Sequence, residues 1–323
     1  MTKDITRRTM LGGLAGLAAS SAYAADWPSR TITIIHGFPA GGPSDVIARL
    51  IADGLQRSLG QPVIVEPKPG ASGTSASAFV SRATPDGYTL MVIPSGFATA
   101  AATFAHLPYR SLGGFATITL ASEYPYLMCT NASSGIKTVA ELLNAARTRP
   151  APLLYGTPGL GSGPQLAIEL FALKTKIKVQ HVPFRGSEPA SLELLAGRLD
   201  FMMDPPATLV PHVRSGKLNA LAVSSAKHYF ALPEVPSVAE SGVPGFNVSA
   251  WQGLVAPTGL PAPILTRLNT EVVRILKEPA TIEKLHAFGN EPASTTPQQF
   301  NKRLVDDIAL WSALADEIHF QKI

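Results

Sequence analysis

Short apolar runs of about five residues alternate along this chain with longer stretches in which apolar positions return every three to four residues. The runs predict strands at Thr31–Ile35, Val63–Val65, Thr89–Ile93, Tyr126–Thr130, Leu153–Tyr155, Val179–Val182, Leu199–Met203, Ala220–Ser224 and Trp251–Val255. The periodic stretches predict helices at Ser44–Leu59, Thr74–Ser81, Val139–Thr148, Gln165–Leu173, Pro189–Ala196, Pro206–Ser215, Ile264–Leu276, Ala280–Phe288 and Pro297–Glu317. Strands of this length separated by helices of roughly ten or more residues indicate parallel α/β sheets.

The first three strand–helix units end near Ile93 and a new set begins near Leu153, with a Gly-, Ser- and Thr-rich passage between them that includes Leu112-Gly113-Gly114-Phe115. The reading is two α/β lobes, at residues 25–123 and 124–249. Residues 250–323 supply a return strand and helices that come too late for the second sheet, so they are expected to complete the first lobe.

At the N-terminus, Thr6-Arg7-Arg8-Thr9-Met10-Leu11 precedes an uncharged small-and-apolar run, and Ala22-Tyr23-Ala24 places small residues where a signal peptidase reads. Residues 1–24 are therefore expected to be an export signal. The Arg7-Arg8 pair fits the twin-arginine route, while Met10 and the lack of a lysine after Leu11 fit the general secretory route equally well. No segment reaches the ~18 uninterrupted apolar residues of a membrane span. The expected product is a periplasmic protein, soluble after cleavage. Loss of Met1–Ala24, with Lys3, Arg7, Arg8 and Asp4, lowers the formal charge from +4 to +2. No basic stripe with interleaved aromatics is present, which excludes nucleic acid as a partner. The single cysteine, Cys129, excludes an intrachain disulfide, and without a heptad pattern the chain is expected to be a monomer.

Two glycine-rich loops carry the candidate chemistry. The first, Gly37-Phe38-Pro39-Ala40-Gly41-Gly42-Pro43-Ser44-Asp45, joins a strand to a helix, and the second, Gly156-Thr157-Pro158-Gly159-Leu160-Gly161-Ser162-Gly163-Pro164, does the same. A helix that starts at such a loop leaves its first N–H groups unpaired and aimed at one spot, which favours an anion. Gly41 and Gly42 are free to turn successive N–H groups inward, and Ser44 and Asp45 fall where a helix cap is expected. Asp45 is expected to cap rather than to face a carboxylate ligand, leaving Phe38, Ala40, Gly41, Gly42 and Ser44 as the contacts. From the second loop Thr157, Gly161, Ser162 and Gln165 are the candidates, with Thr157 and Ser162 equally able to satisfy their own loop. Gly73 and Ser95 lie at carboxyl ends of strands, where α/β folds place ligands. Arg185 is placed to pair with an acidic ligand or to stay solvated at the rim, and Asp204 to receive a ligand amine or hydroxyl.

Catalytic motifs are missing. No serine has glycine at both minus two and plus two, the only Gly-Lys pair continues into Leu218, and Gly159-Leu160-Gly161-Ser162-Gly163 brings its third glycine one residue too early for a dinucleotide fingerprint. The seven histidines are dispersed, so no metal site and no cofactor is expected.

Several fragments, in this order and spacing, resemble the Bug-type extracytoplasmic solute receptors, the binding components of tripartite tricarboxylate transporters. They are Phe38–Asp45, Pro69-Gly70-Ala71-Ser72-Gly73, Ala83–Leu90, Val182-Pro183-Phe184-Arg185-Gly186-Ser187, Leu195–Asp200 and Val235–Phe246. The resemblance implies a type II periplasmic-binding-protein fold, two lobes joined by crossing strands that close on a small carboxylate, a dicarboxylate, amino acid or aromatic acid. It also implies a membrane permease as partner and no enzymatic role. A sensor or accessory receptor without transport, and an enzyme acting on a carboxylate, are the alternatives. The chain departs from the family at His36-Gly37, where an apolar residue and proline are usual, at Pro67-Lys68, where Asn-Arg is usual, and at Thr74, where asparagine is common.

Overall fold

The computed structural model describes residues 27–323; the expected export segment at 1–24 lies outside them. One sheet has the order β11-β4-β10-β3-β1-β2, with β1 at Ile32–His36, β2 at Val63–Pro67, β3 at Thr89–Pro94, β4 at Phe115–Pro125, β10 at Ser249–Pro257 and the short β11 at Glu291–Pro292. The other has the order β7-β6-β8-β5-β9, with β5 at Leu127–Asn131, β6 at Leu153–Thr157, β7 at Val179–Pro183, β8 at Phe201–Asp204 and β9 at Leu218–Val223. The expectation of wholly parallel sheets needs correction. β2, β1 and β3 are parallel, as are β7, β6 and β8, but β10 runs antiparallel to β3 and β4, and β5 antiparallel to β8 and β9.

Two of the longer elements escape the apolar pattern. The Gly-, Ser- and Thr-rich passage contains β4, an 11-residue strand. Its Thr117, Thr119 and Ser122 are buried yet polar, because the chain around residues 290–297 runs alongside and accepts their hydroxyls: Thr117 Oγ1 donates to the Pro297 carbonyl at 2.9 Å and Ser122 Oγ to Asn290 Oδ1 at 3.3 Å. The helix Gly96–Thr103 is built of glycine, alanine, threonine and one phenylalanine, so no apolar stripe announces it; Thr99 and Thr103 return their hydroxyls to backbone carbonyls of the same helix.

On one face of the first sheet, Ile32, Ile34, Val92 and Leu254 pack against Ile47, Ile51 and Leu55 of the helix Pro43–Leu59 and Leu268, Val272 and Ile275 of the helix Ala262–Leu276. On the other, Trp251 and Phe97 meet Phe300, Leu304 and Trp311 of the C-terminal helix Pro297–Glu317. That second cluster continues without a break into Met128, Phe171 and Phe201 of the neighbouring sheet. Trp251 donates from Nε1 to Asp307 Oδ2 at 2.6 Å, so its one polar atom is satisfied in the core.

The chain crosses between the sheets twice, once from β4 into β5 and once from the segment after β9 into β10. Ser224 stitches the crossings together. Tyr126 N–H donates to Ser224 Oγ at 2.8 Å and Ser224 N–H to the Tyr126 carbonyl at 2.9 Å, while Ser224 Oγ donates to the Val248 carbonyl at 2.6 Å and Val248 N–H to the Ser224 carbonyl at 2.8 Å. Replacing Ser224 with alanine removes two side-chain bonds at a 1% exposed position and strands their backbone partners. The expected loss is roughly 2–4 kcal/mol of unfolding free energy, read by denaturant titration; an effect below 0.5 kcal/mol would remove Ser224 as the stitch.

Candidate functional site

Six helices begin at the carboxyl ends of parallel strands: Pro43–Leu59, Thr74–Ser81 and Gly96–Thr103 after β1, β2 and β3, and Gly163–Thr175, Ser187–Leu195 and Pro206–Arg214 after β6, β7 and β8. Because the strands within each parallel set share one direction, three helix N-termini gather at the edge of each sheet. Each contributes unpaired N–H groups and the positive end of a dipole. Both edges border the crossing from β4 into β5, where a β-carbon built on Gly163, at its helix start, would lie 2.1 Å from the Tyr126 hydroxyl. Gly161 reaches the first lobe at the far end of the helix Gly96–Thr103: a β-carbon built on it would lie 3.0 Å from Thr103 Oγ1 and 3.1 Å from Ile323 Cδ1.

The first loop is organised by Asp45. Its carboxylate accepts the Gly41 N–H at 2.9 Å and Arg49 Nε at 2.9 Å through Oδ2, and His36 Nε2 stands 3.0 Å from Oδ1. The bond from Arg49 holds this carboxyl below the ordinary range against the opposing effect of burial, helped by the Gly41 N–H. Asp45 therefore shapes the loop, as a capping residue was expected to, although the cap position itself is Gly42 and Pro43 opens the helix. Gly41, at φ 82°, uses the freedom of glycine; Gly42, at φ −77° and ψ 173°, has extended backbone open to any residue, so of the two glycines expected to turn N–H groups inward only Gly41 takes a left-handed turn. Ser44 is buried and donates its hydroxyl to Gln252 Oε1 of β10 at 3.0 Å, so its proton serves the first lobe and its backbone N–H is the group left at the helix start. Ala40 and Gly41 are exposed at the tip.

Phe38 and Gly73 are brought together. A β-carbon on Gly73 would meet the Phe38 ring at 3.3 Å, and one on Gly37 would sit 2.5 Å from the Gly73 α-carbon. Glycine at position 37 is thus what allows the loops after β1 and β2 to touch. Ser95, at the end of β3, donates its N–H to the Trp251 carbonyl at 2.8 Å. His36 is wholly buried beneath the first loop, and its Nδ1 has no hydrogen-bond partner.

The second loop satisfies itself. Gln165 accepts the Gly161 N–H at 2.7 Å through Oε1 and gives its own N–H to Ser162 Oγ at 3.4 Å, while Thr157 Oγ1 lies 3.1 Å from the Gly159 carbonyl and 2.6 Å from His181 Nε2. Burial lowers the His181 pKa to about 4, so this imidazole is neutral. It stacks on Tyr155, whose hydroxyl donates to Glu169. Thr157, Ser162 and Gln165 hold the loop backbone in place, and Gly161, at φ 73°, reaches toward the opposite lobe.

Arg185 is exposed on the bend after β7, where Phe184 N–H and Gly186 N–H donate to the Thr157 and Pro158 carbonyls at 3.0 and 3.1 Å; it has no ion-pair partner among the described residues. Asp204 closes β8 completely buried, with neither carboxylate oxygen in a hydrogen bond. Burial raises its pKa to about 7, and the nearby Ser187 and Thr208 hydroxyls pull it back only in part. Sequence reasoning missed Gln252, Tyr126 and His181. A lone glutamine within the apolar run Trp251–Val255 was the available signal for the first; nothing local marks the other two, whose partners are distant in the chain.

The raised Asp204 pKa means that the folded state holds this proton more tightly than the unfolded chain, so the site's contribution to stability is complete below about pH 4 and lost as pH rises through about 7. Asp204→Asn is expected to gain stability relative to the parent across that window, by up to roughly 1.4 kcal/mol per pH unit. Parallel stability–pH curves for the two proteins would show Asp204 to be ionised throughout.

Residues 47–320 match the family described as "Tripartite tricarboxylate transporter family receptor". Protein BugT of Bordetella pertussis is 33% identical over 305 residues, covering 94% of this chain and 93% of that protein. Among solved structures, Rpa4515 of R. palustris with adipate superposes with a TM-score of 0.79 at 33% identity, covering 92% of this chain and all of that one. MatC from Rhodopseudomonas palustris with bound malate gives 0.74 at 33% identity, covering 89% and 99%. The two-sheet α/β fold expected from the sequence is thus shared with these ligand-bound structures. The chain belongs to the tripartite tricarboxylate transporter receptor family.

Proposed function

We propose that this protein is an exported receptor that captures a small carboxylate between its lobes, closes on it and hands it unchanged to a membrane permease. The observation that supports the proposal is the pair of glycine loops, each held by a side chain of its own and each opening a helix, an arrangement whose unpaired helix N–H groups favour an anion. Such a site recognises a carboxylate through backbone amides, with Phe38, Ala40, Gly41, Gly42, Ser44 and Asp45 forming one wall, Gly73 and Ser95 its flank, and Thr157, Gly161, Ser162 and Gln165 the other. Adipate in one relative and malate in another support a small dicarboxylate as the ligand. Arg185 stands at the rim. The lobes are residues 25–123 with 250–323, and 124–249, and they turn about the crossings. Closure follows from the ligand's greater affinity for the closed form. The receptor is released by cleavage after Ala24 and works as a monomer without cofactor; among the described residues no helix is long and apolar enough to cross a membrane.

Thermal unfolding against mono-, di- and tricarboxylates, amino acids and aromatic acids is expected to rise by a few degrees with one chemical class, since a ligand at about 100 times its Kd adds roughly 2.7 kcal/mol. The compound should be recovered unchanged; its conversion would identify an enzyme. Gly41→Val is expected to weaken that ligand about tenfold or more, because a branched side chain at positive φ distorts the N–H array, whereas Gly42→Ala stays within about threefold. Equal effects of the two would dismiss the first loop as the anion site. Protein recovered from the periplasm is expected to begin at Ala25 by intact mass, and an unprocessed cytoplasmic product would refute export.

A further inference from the structure

The crossing between the sheets has an outer side as well as a cleft side. A cavity of about 390 Å³ opens there, its walls including Glu123, Tyr124, Lys227, Asn247 and Arg303, which lies within the ~300–1,000 Å³ typical of small-molecule sites. The topology sets it apart from the glycine loops. Those follow β1 and β6, whereas the cavity borders β4 and β11, the opposite edge of the first sheet, and the chain that leaves β9, the edge of the second. Its walls come from both sides of the hinge: Glu123, Tyr124 and Arg303 from the first lobe, Lys227 and Asn247 from the second.

Most charges around the cavity are already matched. Arg303 is spent on Asp307 at 2.9 Å and on the Ser249 carbonyl at 3.1 Å, Glu291 meets His286 at 3.2 Å, and His228 meets Glu240 at 3.0 Å. Asn247 Oδ1 accepts the Ala226 N–H at 2.9 Å, which leaves its amide nitrogen as a donor. Among the described residues, Glu123 and Lys227 have no ion-pair partner, and they stand on opposite sides of the hinge. A molecule that satisfies both must carry a positive and a negative group.

We propose that this cavity is a second binding site, for a small zwitterion of the amino-acid class, with the ligand's ammonium on Glu123 and its carboxylate on Lys227 and the Asn247 amide. Two bodies turning about one hinge move reciprocally, so narrowing the cleft widens the outer side. Here Gly161 of the second lobe lies against Thr103 of the first while the outer cavity stands open. An occupant of the outer cavity therefore favours the closed form and tightens the cleft ligand, and the cleft ligand tightens the occupant by the same factor. Only this coupling rests on the closing-receptor reading; the binding itself does not.

Calorimetric titration of the purified protein with glycine and with γ-aminobutyrate tests the site. Binding of at least one probe is expected, weakened at least tenfold by Glu123→Gln and by Lys227→Ala, abolished by Ala226→Trp, whose indole fills the cavity, and unaffected by Gly41→Val. No binding of either probe, binding that survives both charge variants, or binding lost in Gly41→Val would overturn the site. Ala226→Trp is further expected to tighten, severalfold, whichever carboxylate the cleft takes, because the indole props the outer side open; weaker or unchanged cleft affinity would overturn the coupling. Probe binding with the stated variant pattern in a protein that takes no carboxylate would sustain the outer site while refuting the cleft reading.

Discussion

The two halves of this protein depend on how the chain passes between its sheets. Both crossings run side by side, and Ser224 uses its backbone and its hydroxyl to bind the Tyr126 and Val248 segments into one strip. A strip joined by short hydrogen bonds resists stretching and shear but still permits rotation. Everything else in the arrangement follows from it: the parallel strand ends of the two sheets border it on one side, and an opening is left on the other. The apolar cluster that runs unbroken from Trp251 through Phe171 and Phe201 covers this joint along one face.

The cleft assigns its side chains an indirect part. Asp45, the one carboxylate in the first anion-seeking loop, would repel a carboxylate ligand if it were free. It accepts instead from Gly41, Arg49 and His36, which neutralises its charge and fixes the loop that presents the helix N–H groups. Gln165 does the equivalent for Gly161 in the second loop without any charge. In the proposed site, recognition by backbone amides demands little of a ligand beyond an anionic end, and the space between the loops sets what lies between two such ends; relatives at one third identity hold adipate in one case and malate in another.

Much of this was legible in the sequence because it is local. The helix Thr74–Ser81 was predicted residue for residue, and β2 and β6 within two residues at either end, since each carries its own apolar pattern and its own glycine or proline boundary. Asp45 as a shaper of its loop was legible too, because its partners Gly41 and Arg49 lie four residues away on either side. β4 was not, because its hydroxyls look solvent-exposed until the chain around residues 290–297 supplies their acceptors. Nor was the loss of the Ser44 proton to Gln252, a partner 208 residues distant.

The sequence by itself determined two α/β units, the places where strands empty through glycine loops into helices, and the kinship carried by those loops, because helix starts and turns are decided by neighbouring residues. Only the tertiary structure decided which of the loop groups are free. Hydroxyls at Ser44, Thr157 and Ser162 have equal standing as ligand contacts on the page of a sequence, yet each is given a partner by a chain brought alongside or by the exact turn of its own loop. The converse holds for Asp204, Glu123 and Lys227, which folding leaves unmatched among the described residues. Whether a charge is matched depends on what folding places within reach of it, and no pattern along the chain records that.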